Sequence, residues 1–152
     1  MIEELLKEEI VDLNVQAIDW VDAVKAAGNL LVKDGKVEEM YVDAMINTVK
    51  QMGAYIVMAP GVAMPHARPE AGVKELGISV ITLKTPVPFG NEGFDPVKLI
   101  FSICAKDSKE HINLLQDLSC ILDDSELIEK CDTCRTKKEL IDLIIKVYKK
   151  NK

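Results

Sequence analysis

Hydrophobic positions along this chain change their period several times, and the changes mark out its elements. From Trp20, apolar residues return at three- and four-residue spacing through Val21, Val24, Ala27 and Leu31, the pattern of one helix face. Asp19 stands where an N-cap belongs, and Gly35 where a helix stops. A second run of the same period covers residues 38–51, with Met40, Tyr41, Ala44, Met45 and Thr48 on one side and Gly53 at its end. Tyr55-Ile56-Val57-Met58 then reads as a short strand, closed by Pro60-Gly61. The β-branched, largely apolar stretch 76–83 reads as a buried strand, and 97–105 as the next one. Pro86, Pro88, Gly90 and Gly93 break the chain between them into a loop. The helical period resumes after Ser108, taken as a cap, with Ile112, Leu115, Leu118, Cys120 and Ile121, and ends at Leu122. Asp124 or Ser125 opens a short helix through Lys130. Thr136 and Glu139 form a capping box for a last amphipathic helix, Leu140 to Tyr148. Helices come first, strands and helices mix in the middle, and helices finish the chain, which predicts an α/β layered domain around a central sheet.

Composition narrows the partners. A chain of 152 residues suits a single domain, residues 1–152, with a real core. With 25 acids against 19 bases the net charge is −6, which argues against nucleic acid, since phosphate backbones call for a basic face. No apolar run approaches the roughly 20 residues of a membrane span, and the acidic N-terminus lacks the basic start of a signal peptide. These features predict a cytoplasmic protein. Lys146, Lys149, Lys150 and Lys152 read as a frayed, solvated helix end, where cations suit the macrodipole. Of the four cysteines, Cys104 and Cys120 fall in apolar segments and read as small packing residues. Cys131 and Cys134 form a CxxC, yet no second pair and no neighbouring histidine accompany them. The sequence therefore disfavours a zinc or redox role, and no metal or cofactor is expected.

The stretch of residues 59–70 carries the most chemistry. It places His66, one of only two histidines, between Pro65 and Pro69 and two residues before Arg68. Pro65 fixes its own φ and pushes Met64 towards extended geometry, so the backbone entering His66 is stiff. A stiff entry suits a side chain that must meet a large partner in one orientation. His111 lies near the start of the helix that follows the 97–105 strand. Strand ends and the first turns of the following helices are where α/β proteins build sites, and a helix start offers unpaired N–H groups to anions. Neutral imidazole is a competent nucleophile towards phosphorus near pH 7. Phosphoryl transfer then depends on positioning and on donors that meet the developing charge. His66 is the candidate nucleophile, His111 the candidate stabiliser of a phosphoryl group, and Arg68 the candidate local cation.

Three ordered blocks carry a family resemblance: residues 55–70 around His66, residues 89–97, and His111-Ile112-Asn113-Leu114-Leu115 with Leu118. Together they resemble enzyme IIA components of the bacterial sugar phosphotransferase system (PTS), mannitol/fructose type, over roughly residues 5–148. The resemblance implies an α/β fold with a mixed central β-sheet flanked by helices on both faces. It implies that His66 accepts phosphoryl from phospho-HPr, typically on Nε2, and passes it to a cysteine of a IIB component. His111 matches the second active-site histidine, and no metal or cofactor takes part. The membrane component IIC is reached only indirectly, and the IIA protein does not bind the transported sugar. This chain departs from the mannitol and fructose pattern in two places. Thr48 stands where an arginine is usual, and Ala67-Arg68 follow the histidine in place of a small pair. The run from Ala67 to Gly72, with Asp95-Pro96-Val97, looks most like the ascorbate-specific branch, and Arg68 is expected to replace the missing helical arginine. Both partners would use one overlapping surface in turn, with Val62, Met64 and Phe89 as candidates for its apolar rim, Val62 reading rather as core, and the net negative charge steering a basic partner face. Two other readings remain at this level: a regulatory protein on the same scaffold, and a redox or metal module built on Cys131 and Cys134.

Overall fold

The computed structural model of the protein describes residues 1–122 and 124–152. The chain opens with a short helix α1 (Ile2–Leu5) and strand β1 (Val11–Val15), followed by two long helices, α2 (Trp20–Lys33) and α3 (Met40–Met52). Strands β2 (Val57–Ala59), β3 (Val62–Ala63), β4 (Gly77–Val87) and β5 (Val97–Cys104) come next, and helices α4 (Ser108–Ser119), α5 (Ser125–Lys130) and α6 (Lys137–Asn151) complete the chain.

The helix starts follow from local chemistry. The Asp19 carboxylate accepts from the Asp22 N–H at 2.8 Å, and the Thr136 hydroxyl from the Glu139 N–H at 3.1 Å. Each such cap is worth about 1 kcal/mol. At α4 the cap is Asp107, which accepts from the Glu110 N–H at 2.8 Å, and Ser108 is the first helical residue. The expectation of a Ser108 cap is corrected by one position, because the carboxylate is the better acceptor for an unpaired N–H. Gly53 ends α3 with φ of +82°, a conformation costly for any residue with a Cβ.

The sheet runs in the order β1-β4-β5-β3-β2. β1 pairs parallel to β4, β4 antiparallel to β5, β3 parallel to β5, and β2 antiparallel to β3. It is a mixed sheet with helices on both faces, as expected. On one face Val80, Phe101 and Ile103 pack with Leu114 and Leu118 of α4 and with Leu140 and Ile144 of α6. On the other, Ile81, Leu83 and Ile100 pack with Val24 and Leu31 of α2 and with Tyr41 and Met45 of α3. The polar residues in this second face are satisfied, Ser79 donating to Ala27 O at 2.7 Å and Ser102 to the Met45 sulfur at 3.4 Å.

Two strands escaped the sequence reading. β1 alternates Val11, Leu13 and Val15 with Asp12 and Asn14 at the sheet edge, and β3 has only two residues, too few for a period to register. The lysine-rich end also differs from expectation. Helix α6 continues to Asn151, with Lys146 and Lys150 both paired to Glu126 and Lys150 also to Asp124. These two lysines meet carboxylates at the start of α5 in addition to the helix dipole.

Candidate functional site

β3 stops at Ala63, and the chain continues alongside β5 without regular pairing. Met64 N–H donates to Ile56 O at 2.8 Å, and Ile103 N–H donates to Pro65 O at 3.1 Å. The first ties the entry to His66 to the residue before β2, and the second anchors it to the end of β5. Three residues after β5 the chain enters α4, whose first turn carries His111. Strand β5 therefore brings together two histidines 45 positions apart in sequence, with ring centroids 5.2 Å apart.

Both rings are partly buried at a cavity of about 680 Å³ lined by α3, the His66 segment and the start of α4. His66 Nδ1 lies 2.9 Å from Met64 O. A carbonyl can only accept, so Nδ1 carries a proton, and in the neutral ring the lone pair is on Nε2. Tyr55 meets the His66 ring edge-on, with centroids 6.0 Å apart. Partial burial, and after it the neighbouring His66, push the His111 pKa below its ordinary value. A neutral imidazole there retains one donor and one acceptor. The start of α4 also leaves the Ser108 and Lys109 amides without acceptors inside the helix.

Arg68 is exposed, precedes the turn Pro69–Ala71, and is the one Lys or Arg among the described residues that line the cavity. Among the described residues it joins no ion pair, not even with nearby Glu70. Thr48 lines the same cavity, but its hydroxyl donates to Ala44 O of its own helix at 2.8 Å. The three residues singled out in the sequence thus lie around one cavity.

The expected apolar rim is corrected. Met64, just past β3, is almost wholly buried and Phe89 is buried against Trp20, while Val62 is core, as read, because β3 lies between β2 and β5. The exposed apolar residues at the cavity are Met52, Tyr55 and Ile112, at the end of α3, just beyond it, and on α4. Ile112 belonged to the predicted core stripe of its helix, and only the docking of α4 reveals which edge of that stripe stays outside. Tyr41 was also read only as part of an apolar face, yet its buried hydroxyl bonds to the backbone on both sides of the site, at Ala67 and Ile103. Helical periodicity registers the ring and carries no signal for the hydroxyl.

The sequence profile described as "Phosphoenolpyruvate-dependent sugar phosphotransferase system, EIIA 2" matches residues 4–147. The chain belongs to this PTS EIIA family. It is 38% identical over 144 residues to the ascorbate-specific PTS system EIIA component of Escherichia coli strain K12, and 39% identical to that of Shigella flexneri, with 93% of each chain covered in both cases. Among solved structures it is similar to the mannitol-specific cryptic phosphotransferase enzyme IIA of Escherichia coli, with a TM-score of 0.84 and 34% identity over 94% of this chain and 97% of that one. It is also similar to the Escherichia coli mannitol enzyme IIA solved in complex with phosphorylated mannitol enzyme IIB, with a TM-score of 0.82 and 30% identity over 93% of this chain and 97% of that one. As a PTS EIIA component it is part of a phosphotransferase system. No helix among the described residues is long and apolar enough to cross a membrane.

Proposed function

We propose that this chain is a cytoplasmic phosphoryl carrier that takes a phosphoryl group from phospho-HPr onto His66 and hands it to a cysteine of a IIB component. The observation that carries the reading is the 2.9 Å contact between His66 Nδ1 and Met64 O, which in the neutral ring leaves Nε2 as the nitrogen with a lone pair. In the first step that lone pair forms the bond to phosphorus, while the bond from phosphorus to the donor breaks and its electron pair leaves with the donor. In the second step the thiolate of the acceptor cysteine attacks phosphorus, and the N–P electron pair returns to Nε2. Both steps depend on positioning and on charge stabilisation, with no covalent work for other side chains. His111, 5.2 Å from His66 between centroids, donates to the phosphoryl oxygens, and Arg68 supplies the positive charge that Thr48 lacks. Met52, Tyr55 and Ile112 form the apolar rim on which each partner seats in turn. The identity to ascorbate-specific components supports ascorbate uptake as the system served.

The test is phosphoryl transfer from phosphoenolpyruvate through enzyme I and HPr. Wild type is expected to gain one acid-labile phosphoryl group and His66→Ala none. Uptake by His66→Ala equal to wild type, or no uptake by wild type, would end the proposal. Adding IIB proteins of the ascorbate and mannitol systems then reads the acceptor. Discharge to the ascorbate IIB is expected, whereas a regulator on this scaffold would charge and discharge to neither.

A further inference from the structure

Beyond Ala63 the chain follows β5 with only part of a ladder: Pro65 has no N–H to donate, and at His66 a side chain enters the pairing. Strands β3 and β5 run parallel, with Val62 opposite Leu99 and Ala63 opposite Ile100. Carried three residues on, this register sets His66 opposite Ile103. In a parallel ladder, Ile103 should donate its N–H to the residue before His66 and accept from the residue after it. The first bond is present, Ile103 N–H to Pro65 O at 3.1 Å. At the second, a hydroxyl stands in the way: Ala67 N–H donates to the Tyr41 hydroxyl at 3.0 Å, and that hydroxyl donates to Ile103 O at 2.8 Å. Its contact with Ala67 O, at 3.2 Å, is the longer alternative for the same proton.

We propose that Tyr41 is a positioning residue, its hydroxyl an inserted rung that holds the backbone after His66 away from β5 and so fixes where the His66 ring stands. A relay through one oxygen keeps Ala67 N and Ile103 O roughly 2 Å further apart than a direct bond would. The segment therefore leaves the sheet at the reactive histidine and returns no further pairing to it. The ring is then set from two sides, by Met64 O on Nδ1 and by the tethered backbone at Ala67. Tyr41 itself is wholly buried in the α3 face of the core, so its hydroxyl is held by packing and must find partners where it lies. Burial also pushes its ionisation well up, so it keeps the proton it donates. The effect on transfer rests on His66 being the phosphoryl carrier; the effect on the ring does not.

The experiment is Tyr41→Phe, read by ¹⁵N NMR of the histidine rings and by phosphoryl uptake from phospho-HPr. The expected result is a smaller share of the Nδ1–H tautomer at His66, with displaced His66 and His111 ring signals. Uptake should slow about tenfold to a hundredfold, as small misplacements of reacting groups do, with the KM for the donor changed less than about twofold. A folded Tyr41→Phe protein with wild-type ring signals would overturn the proposal, because a purely structural tyrosine would lower stability and leave the His66 tautomer alone. Should that variant fail to fold, exchange in the wild type decides. The relay requires a slowly exchanging Tyr41 hydroxyl proton and a protected Ala67 amide, and fast exchange of either overturns it. If wild type takes up no phosphoryl group, the carrier reading falls while the ring signals still test Tyr41.

Discussion

The His66–His111 region and the Cys131–Cys134 region each place two nucleophile-capable side chains close together, and the fold treats them in opposite ways. The histidines stand half-buried at a cavity, one with its tautomer set by a backbone carbonyl and the other with its pKa pressed down. The first contact orients the His66 ring, and the second favours the neutral form of His111. The cysteines lie in the core under α5 and α6, donating to Ile128 O and Lys130 O at 3.4 and 3.6 Å. Burial, and after it Asp132, push the Cys131 thiol up to about 11, and burial raises Cys134 as well. A thiol so placed holds its proton and is a poor nucleophile. Residue type alone ranks cysteine above histidine for reactivity; solvent access and the partners of each group reverse the order.

That contrast is sharpened most by His111→Ala, which should slow phosphoryl uptake by His66 on the order of 100-fold, the usual cost of losing one preorganised donor. An unaltered rate in a single-turnover assay would remove His111 from the chemistry. Arg68→Ala should have a smaller effect, about tenfold, as expected for a solvent-exposed charge meeting a phosphoryl group. A rate equal to wild type would show that Arg68 does not replace the helical arginine.

Acidity tests the histidine side of the comparison through stability. Unfolded His111 binds a proton near its ordinary value of 6.5, while the folded protein resists until a lower pH. The unfolded state therefore holds more protons in that window, so stability is complete above pH 6.5 and declines as pH falls towards the depressed folded value. His111→Gln should flatten the decline in urea titrations at successive pH values. Glu126 adds a dependence of its own, since its lysine partners hold its pKa at about 2, against an ordinary 4.5. Its stabilisation is present above 4.5 and is lost only as pH falls towards 2.

The smallest effect is expected at the cysteines. Cys131→Ala with Cys134→Ala should leave the transfer rate within about twofold and cost about 1–2 kcal/mol of stability through lost packing. Loss of uptake in that double variant, in a protein that still melts cooperatively, would break the comparison.

The chain alone determined helices α2 to α6, the apolar stretches of β4 and β5 and the reactive segment, because each rests on short-range physics, whereas α1 and the run of β4 through Pro86 to Val87 were not read from it. Asp19 and Thr136 cap, Gly53 stops, and the prolines flanking His66 stiffen it through bonds within a few residues. The blocks around His66 and His111 were legible for the same reason, as each is continuous in sequence. Tertiary structure decided what depends on distant partners. It placed β1 and the two-residue β3 in the sheet, buried Met64 and Phe89, and left Met52, Tyr55 and Ile112 outside. It also carried the Tyr41 hydroxyl, 26 residues from Ala67 and 62 from Ile103, between the reactive segment and β5. Periodicity encodes which face of an element is apolar, and only packing determines what that face meets.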